Sequence, residues 1–261
     1  MKPARSVISL IVVSFFLFGL WIVTVGLFWL GYFSPTSNTA PISSHASIRL
    51  SIIGLELPQI VDQSRSFDVM LGDSIVEAFF AKSACSPILN AGIGGGGIDT
   101  VFPVLEKLRQ YKGRIDAVVL GIGVNDANAE LVKGYADGRA AYLTNWAARY
   151  REAVLILRSL DVRLYILPIL PVEAGKSLGA GYFDVDVINE MNKAIVQIGS
   201  EYNLPILALP ASLQGSKQGI AKDGTTVDGV HPAAQTYRVV GDLVEGALGN
   251  TDCQPSRSPD R

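Results

Sequence analysis

The 261-residue chain has few histidines and cysteines and no excess of basic residues. Its formal net charge is −2 and like charges do not cluster in long runs, so the composition argues against nucleic acid as a partner. Cys85 and Cys253 lie far apart and match no metal-ligand spacing. His45 and His231 are the only imidazoles, so chemistry that needs a histidine has two candidates.

The N-terminal region predicts a membrane anchor. No charged residue occurs from Val7 to Phe33, and as a helix this run would be roughly 40 Å long, more than a hydrocarbon core of about 30 Å. Lys2 and Arg5 precede it, which predicts a cytoplasmic N-terminus and an extracytoplasmic domain. A cleaved signal peptide is the alternative, but its apolar core is usually shorter. We expect residues 1–33 to be a cytoplasmic stub and an uncleaved transmembrane anchor.

Three further segments follow the predicted anchor. Residues 34–65 are expected to be a linker and approach segment, because the part up to Ser47 is rich in Ser, Thr, Pro and Asn. His45 lies there, and we expect it to be solvated rather than catalytic. Ile48–Arg65 could be an approach to the domain or a partly ordered strand. Residues 66–250 are predicted to form the main domain, and residues 251–261 a C-terminal tail.

Apolar strand candidates alternate with helix candidates in the main domain. The predicted strands are Phe67–Leu71, Ile88–Ala91, Ala117–Ile122, Arg163–Leu167 and Ile206–Leu209. The predicted helices are Ile75–Lys82, Ile98–Tyr111, Thr144–Leu160, Val185–Asn203 and Pro232–Leu248. This alternation predicts an α/β fold with a parallel sheet covered by helices on both faces. Ligands of such sheets gather at the carboxyl ends of the strands.

Four polar clusters follow predicted strands and would lie at that edge. They are Gly72-Asp73-Ser74 after the first strand, Gly92–Gly97 after the second, Gly123-Val124-Asn125-Asp126 after the third and Asp228-Gly229-Val230-His231-Pro232 beyond the fifth. Each has an ordinary structural explanation when it is taken alone. Ser74 could be a helix N-cap, Asn125-Asp126 a turn, and the last cluster a plain loop.

The co-occurrence of the clusters favours acyl transfer. A serine hydroxyl such as Ser74 needs a base to accept its proton, and His231 is the histidine inside the domain. Asp228, three residues earlier, can orient that imidazole. Backbone N–H groups of the glycine-rich loop and the Asn125 amide can stabilise a developing oxyanion. The residues therefore predict a nucleophile, a base, its acidic partner and an oxyanion hole.

The glycine-rich loop also fits Gly-x-Gly-x-x-Gly, the pattern of dinucleotide-binding loops. That pattern requires an acidic residue at the end of the next strand, about 20 residues further on. Asp116 has about that spacing, but it precedes its strand and would lie at the opposite edge of the sheet. The sequence therefore disfavours a nucleotide cofactor.

In their order, the four clusters resemble the sequence blocks of the SGNH (GDSL-type) hydrolase family. The resemblance covers about Phe67 to Leu248 and implies a flavodoxin-like three-layer α/β/α sandwich with a five-stranded parallel sheet. It also implies ester hydrolysis without a metal or other cofactor. Members of the family often have Asp after the oxyanion-hole glycine, where this chain has Gly96.

The same resemblance implies roles for individual residues. Ser74 would be the nucleophile, His231 the base and Asp228 its partner. The oxyanion donors would be the backbone N–H groups of Ser74 and Gly95 and the side-chain amide of Asn125.

Together, the anchor and the resemblance predict a membrane-anchored, extracytoplasmic serine esterase. Its partner would be an ester-bearing small molecule or an acylated envelope polymer, with acetyl esters of a glycan as the first candidates. An O-acyltransferase with the same triad and a non-catalytic glycan-binding module are the alternatives. In a flavodoxin-like order, the helices before Cys85 and Cys253 share a face, so the two cysteines could form a disulfide or remain free thiols.

Overall fold

A computed structural model describes residues 43–80 and 86–249 of the chain. The described residues all belong to one compact unit. The predicted anchor and both cysteines lie outside the described residues. Within residues 43–80 and 86–249, no helix has the length and apolar character needed to cross a membrane.

Parallel strands form the central sheet. They are β1 (Phe67–Gly72), β2 (Ile88–Gly92), β3 (Ile115–Gly121) and β4 (Arg163–Ile166), in the order β2-β1-β3-β4. All six residues of β1 are buried. Because successive strand residues point to opposite faces, this burial shows that both faces of the sheet are covered. The α/β fold with a parallel sheet is therefore confirmed.

The register places the loops after the central strands side by side. Gly72, the last residue of β1, pairs with Gly92 at the end of β2 and with Gly121 at the end of β3. The three carboxyl ends are therefore level, and the segments that follow leave from one edge. This is the edge at which the sequence predicts the polar clusters.

The prediction of five strands is wrong for the described residues, whose sheet has four. The expected fifth strand, Ile206–Leu209, meets β4 only through one parallel bridge between Ile166 and Ile206. Pro205 and Pro210 flank this segment. Proline has no N–H to donate to a ladder, so pairing cannot extend far in either direction. The segment still lies next to β4 and continues the strand order.

Helices cover the sheet on both sides. They are α1 (Ser44–Gln63), α2 (Ser74–Glu77), α3 (Val101–Arg109), α4 (Ala129–Lys133), α5 (Gly138–Ser159), α6 (Val185–Glu201) and α7 (Ala234–Leu248). Short 3-10 turns occur at Ile98–Thr100, Asn125–Ala127 and Ala211–Leu213. Helix α1 packs on α3, α3 on α5, and α5 on α6, whereas α7 packs against β3. Helix α2 is a single turn rather than the longer helix expected over Ile75–Lys82.

Helix α1 corrects the interpretation of residues 34–65. From Ser44 onward the expected linker or partly ordered strand is a 20-residue helix, with Ser43 accepting the Ala46 N–H at its start. Ala46, Ile53 and Leu57 are buried, and their spacings of seven and four residues follow the helical period. The Ser-rich composition of the N-terminal part masked this pattern. Helix α1 belongs to the folded domain, packing on β2 and α3.

Candidate active site

The turn between β1 and α2 presents the Ser74 hydroxyl. Asp73 is the N-cap of α2, and its Oδ1 accepts the Ile75 N–H at 2.9 Å. The sequence allows Ser74 as the N-cap, but in the structure Asp73 caps the helix. Ser74 is the first residue of the helix, and its hydroxyl is available for another partner.

That partner is the imidazole of His231. His231 Nε2 lies 2.9 Å from Ser74 Oγ, although 157 residues separate the two in the chain. On the other side of the ring, His231 Nδ1 lies 2.6 Å from Asp228 Oδ2. When Nδ1–H donates to the carboxylate, Nε2 is left to accept the serine proton. The structure thus brings the three predicted triad residues into one hydrogen-bonded chain.

Asp228 is held ionised by its own loop. Its Oδ1 accepts the backbone N–H groups of Val230 at 3.1 Å and of His231 at 2.9 Å. Burial alone would raise the pKa of Asp228, but the hydrogen bonds from the His231 ring and from the two N–H groups outweigh it and hold the pKa below its ordinary value. The carboxylate can therefore orient the ring and stabilise it when it becomes charged.

The two residues predicted to line the oxyanion hole lie on neighbouring segments. Gly95 has a φ of 70°, in the left-handed region that favours glycine, with open space where a Cβ would be. Asn125 Nδ2 donates to the Gly96 carbonyl at 3.0 Å. This bond uses one of the two amide hydrogens and holds the Asn125 side chain against the glycine-rich loop. The second hydrogen can serve a reacting oxygen.

The start of the glycine-rich loop is held by residues outside the four predicted clusters. Arg49 of α1 donates from Nε to the Gly92 carbonyl at 3.0 Å and from Nη2 to the Asn90 carbonyl at 2.6 Å. Glu77 Oε2 accepts the Gly94 N–H at 2.5 Å. Consecutive glycines are conformationally free, so such contacts are needed to give the loop one shape. The N-cap and helical spacing of α1 are the sequence signals that could have placed Arg49.

His45, which the sequence predicts to be solvated, contacts Glu77, the residue that accepts the Gly94 N–H. Its Nε2 lies 3.0 Å from Glu77 Oε2, and its side chain is 56% exposed. It contacts the residue that holds the glycine-rich loop, while the Ser74 hydroxyl is paired with His231.

The end of the glycine-rich loop is held by a buried carboxyl group. Asp126 accepts the Ile98 N–H with both carboxyl oxygens, at 2.9 and 3.2 Å. Burial raises the pKa of Asp126 to about 7 and that of Asp73 to about 6. These two buried carboxyl groups belong to residues next to Ser74 and Asn125 in the chain.

Two further observations concern acidic side chains and the predicted nucleotide-binding pattern. Across residues 43–80 and 86–249, His, Cys, Asp and Glu side chains form no group of three or more that could hold a metal ion. Asp116, the candidate acidic partner for a nucleotide, receives the Ser66 hydroxyl next to the amino end of β3. It therefore lies at the edge opposite the glycine-rich loop.

A hydrogen-bonded Ser–His–Asp chain at the carboxyl edge of a parallel sheet is the geometry that acyl transfer through a serine nucleophile requires. The family model of the GDSL-like lipase/acylhydrolase family matches residues 62–239. The chain belongs to this family, and it is a carboxylic-ester hydrolase. A search of curated proteins finds no match.

Solved structures show the same fold. A protein of Streptococcus pneumonia described as a platelet activating factor aligns with a TM-score of 0.62 at 19% identity, covering 79% of this chain and 94% of that one. A GDSL-like lipase of Bacteroides thetaiotaomicron aligns with a TM-score of 0.57 at 16% sequence identity, covering 76% of this chain and 98% of that one. A catalytic mutant of an acetylxylan esterase from Geobacillus stearothermophilus aligns with a TM-score of 0.54 at 17% sequence identity, covering 71% of this chain and 95% of that one.

Arg49→Ala is expected to lower kcat for a short chromogenic ester by roughly 10- to 100-fold, because small misplacements of catalytic groups are costly. The variant leaves the glycine-rich loop without the guanidinium that binds the carbonyls of Asn90 and Gly92. The matched control is Arg114→Ala, which removes a guanidinium bound to the Val61 and Ser64 carbonyls at the other end of α1. Steady-state kinetics and thermal unfolding should be measured for both.

The control separates a local effect on the loop from a general loosening of α1. Arg114→Ala is expected to lower the unfolding temperature while leaving kcat close to wild type. Equal losses of kcat in both variants would contradict a specific role for Arg49.

Proposed function

We propose that this protein is a serine ester hydrolase that acts through an acyl-enzyme on Ser74. The observation that carries the proposal is the pair of contacts on one imidazole, 2.9 Å from His231 Nε2 to Ser74 Oγ and 2.6 Å from Nδ1 to Asp228 Oδ2. In this arrangement His231 is the general base and Asp228 orients it. A serine hydroxyl is a weak nucleophile, and such a base is what makes it reactive.

The reaction proceeds in two half-reactions. Ser74 Oγ attacks the ester carbonyl carbon while its proton passes to His231 Nε2. The tetrahedral intermediate then expels the alcohol, which takes the proton from Nε2, and the acyl group remains on Ser74. Water attacks this acyl-enzyme, gives its proton to Nε2, and the released acid leaves as the proton returns to Ser74 Oγ.

The negative charge of each intermediate is stabilised by the oxyanion hole. The donors are the backbone N–H groups of Ser74 and Gly95 and the free amide hydrogen of Asn125. Removal of one such donor typically costs about 3 kcal/mol of transition-state stabilisation. The contacts of Arg49, Glu77 and Asn125 on the glycine-rich loop support this role, because they hold the loop before substrate binds.

The substrate we propose is an acetyl ester on an envelope glycan, met by an extracytoplasmic domain tethered through the predicted helix at Val7–Phe33. The uncharged length of that segment and the preceding Lys2 and Arg5 support the location. An acetylxylan esterase among the structural neighbours supports the substrate class, since that protein acts on an acetylated polysaccharide. Smaller ester-bearing molecules would use the same chemistry.

The full-length protein in detergent provides the test. A fluorophosphonate probe is expected to form an adduct that peptide mass spectrometry assigns to Ser74, and acetylated xylan is expected to release acetate. A folded protein that is not labelled would refute the serine mechanism and favour a non-catalytic glycan-binding module. Labelling without release of acid in water, accompanied by acyl transfer to an added sugar hydroxyl, would replace the hydrolase with an O-acyltransferase.

A further inference from the structure

The loop that carries Asp228 and His231 is bound along its backbone by the turn after Glu173. The Glu173 N–H donates to the Gly229 carbonyl at 2.8 Å, and the Leu178 N–H donates to the Asp228 carbonyl at 2.9 Å. Gly229 has a φ of 117°, and a Cβ on it would lie 2.4 Å from the Gly179 nitrogen. The two segments therefore approach more closely than any side chain at this position would allow.

The side chain of Glu173 is a buried carboxylate at the centre of this contact. Glu173 is 4% exposed. Its Oε1 accepts the Gly224 N–H at 2.9 Å and lies 3.1 Å from Lys176 Nζ. Its Oε2 accepts the N–H of Thr226 at 3.0 Å and the hydroxyl of Thr226 at 2.8 Å. A buried charge is costly unless it is paired and hydrogen-bonded, and here four donors satisfy it.

The Thr226 hydroxyl links Glu173 to the loop that carries Asp228 and His231. Its Oγ1 donates to Glu173 and accepts the Gly229 N–H at 3.0 Å, and Gly229 lies between Asp228 and His231 in the chain. Lys176 Nζ donates to the Thr226 carbonyl. The carboxylate thus sets the direction of the hydroxyl, and the hydroxyl holds the backbone between the two triad residues.

Glu173 carries a negative charge at neutral pH. Burial alone would raise the pKa of Glu173, but the N–H of Gly224 and the two donors of Thr226, helped by Lys176, outweigh it and lower the pKa to about 2. Protonation would replace one acceptor with a donor facing these groups. The loop contact therefore persists throughout the neutral range.

We propose that Glu173 is a positioning residue for ester hydrolysis, which acts through Thr226 to set the loop carrying Asp228 and His231. The inference rests on the proposed function, in which these two residues activate Ser74. It is distinct from that function, because Glu173 contacts the loop and not the reacting atoms.

Glu173→Gln tests the proposal with little change in volume. The amide keeps one acceptor oxygen and turns an N–H₂ group toward donors that need an acceptor. We expect kcat for a chromogenic acetyl ester to fall roughly 10- to 100-fold, with KM within about twofold of wild type because the altered contact is not with substrate. Unchanged kcat, or a raised KM with unchanged kcat, would overturn the proposal.

A pair of variants at Thr226 tests the relay itself. Thr226→Val removes the hydroxyl at nearly constant shape and is expected to lose kcat as Glu173→Gln does. Thr226→Ser keeps the hydroxyl and is expected to stay within about threefold of wild type. Equal losses in both would refute transmission through the hydroxyl. The pair also decides the question if Glu173→Gln does not fold, which circular dichroism would show.

Two controls make the outcome unambiguous. Glu190→Gln alters another Glu–Lys pair at the same spacing, formed with Lys193 on the surface of α6, and should leave kcat unchanged. Ser74→Ala is measured in the same assay. Activity retained by Ser74→Ala would mean that the proposed function fails. An inactive Ser74→Ala beside a fully active Glu173→Gln would mean that only the positioning role fails.

Discussion

Ser74→Ala is expected to lower kcat for ester hydrolysis by on the order of 10⁶-fold, the loss that follows removal of the catalytic serine of a serine protease. The variant lacks the oxygen that lies 2.9 Å from His231 Nε2, so no acyl-enzyme can form. The fold should be preserved, because Asp73 and not Ser74 caps α2. The measurements are kcat with a short-chain ester, labelling by a fluorophosphonate, and thermal unfolding.

A matched serine variant shows that the loss is specific. Ser159 is an exposed residue at the end of α5, where its hydroxyl donates to the Ile156 carbonyl at 2.6 Å. Ser159→Ala should keep wild-type labelling and kcat. Labelling or turnover that survives in folded Ser74→Ala would require another nucleophile and would contradict the mechanism.

Asp228→Asn is expected to lower kcat by roughly 10³- to 10⁴-fold. The amide can donate to His231 Nδ1, which favours the tautomer with the proton on Nε2, and that nitrogen can then no longer accept the Ser74 proton. The variant also loses the negative charge that stabilises the imidazolium. Steady-state kinetics are expected to show the loss in kcat, and the fluorophosphonate should label Ser74 slowly rather than not at all.

The control for this change is Asp223→Asn, an exposed carboxylate five residues earlier in the same segment. It should leave kcat close to wild type, because it removes a charge of the same sign without touching His231. A folded Asp228→Asn that keeps kcat within about tenfold of wild type would show that the carboxylate does not set the tautomer.

The sequence predicted the strands around the site well, and the reason is local. The region of β1 is an apolar run, interrupted by Asp68, that stops at Gly-Asp-Ser, and burial on both faces of a parallel sheet produces such runs. Helix α1 was missed because its polar N-terminal part resembles a linker and its buried positions are few. The apolar pattern at Ile206 predicts a full strand, although the flanking prolines limit its pairing.

Some residues of the candidate site can be predicted from the sequence, and others cannot. Ser74, Asp228, His231, Gly95 and Asn125 were selected because each lies in a short cluster with recognisable chemistry at a strand end. Arg49, Glu77 and Glu173 lie in no such cluster. Their partners are far away in the chain, and Glu173 reaches Thr226 across 53 residues. Contacts of this kind leave no periodic pattern in the sequence.

Periodicity and strand-end residues are local properties, so the alternation of strands and helices and the polar groups at one edge of the sheet can be predicted from the sequence. Tertiary structure is needed for Ser74 to meet an imidazole 157 residues away and for Glu173 to hold the loop of that imidazole. The physical reason is that hydrogen-bond partners are chosen by distance in space. Only the packed sheet and its helices set those distances.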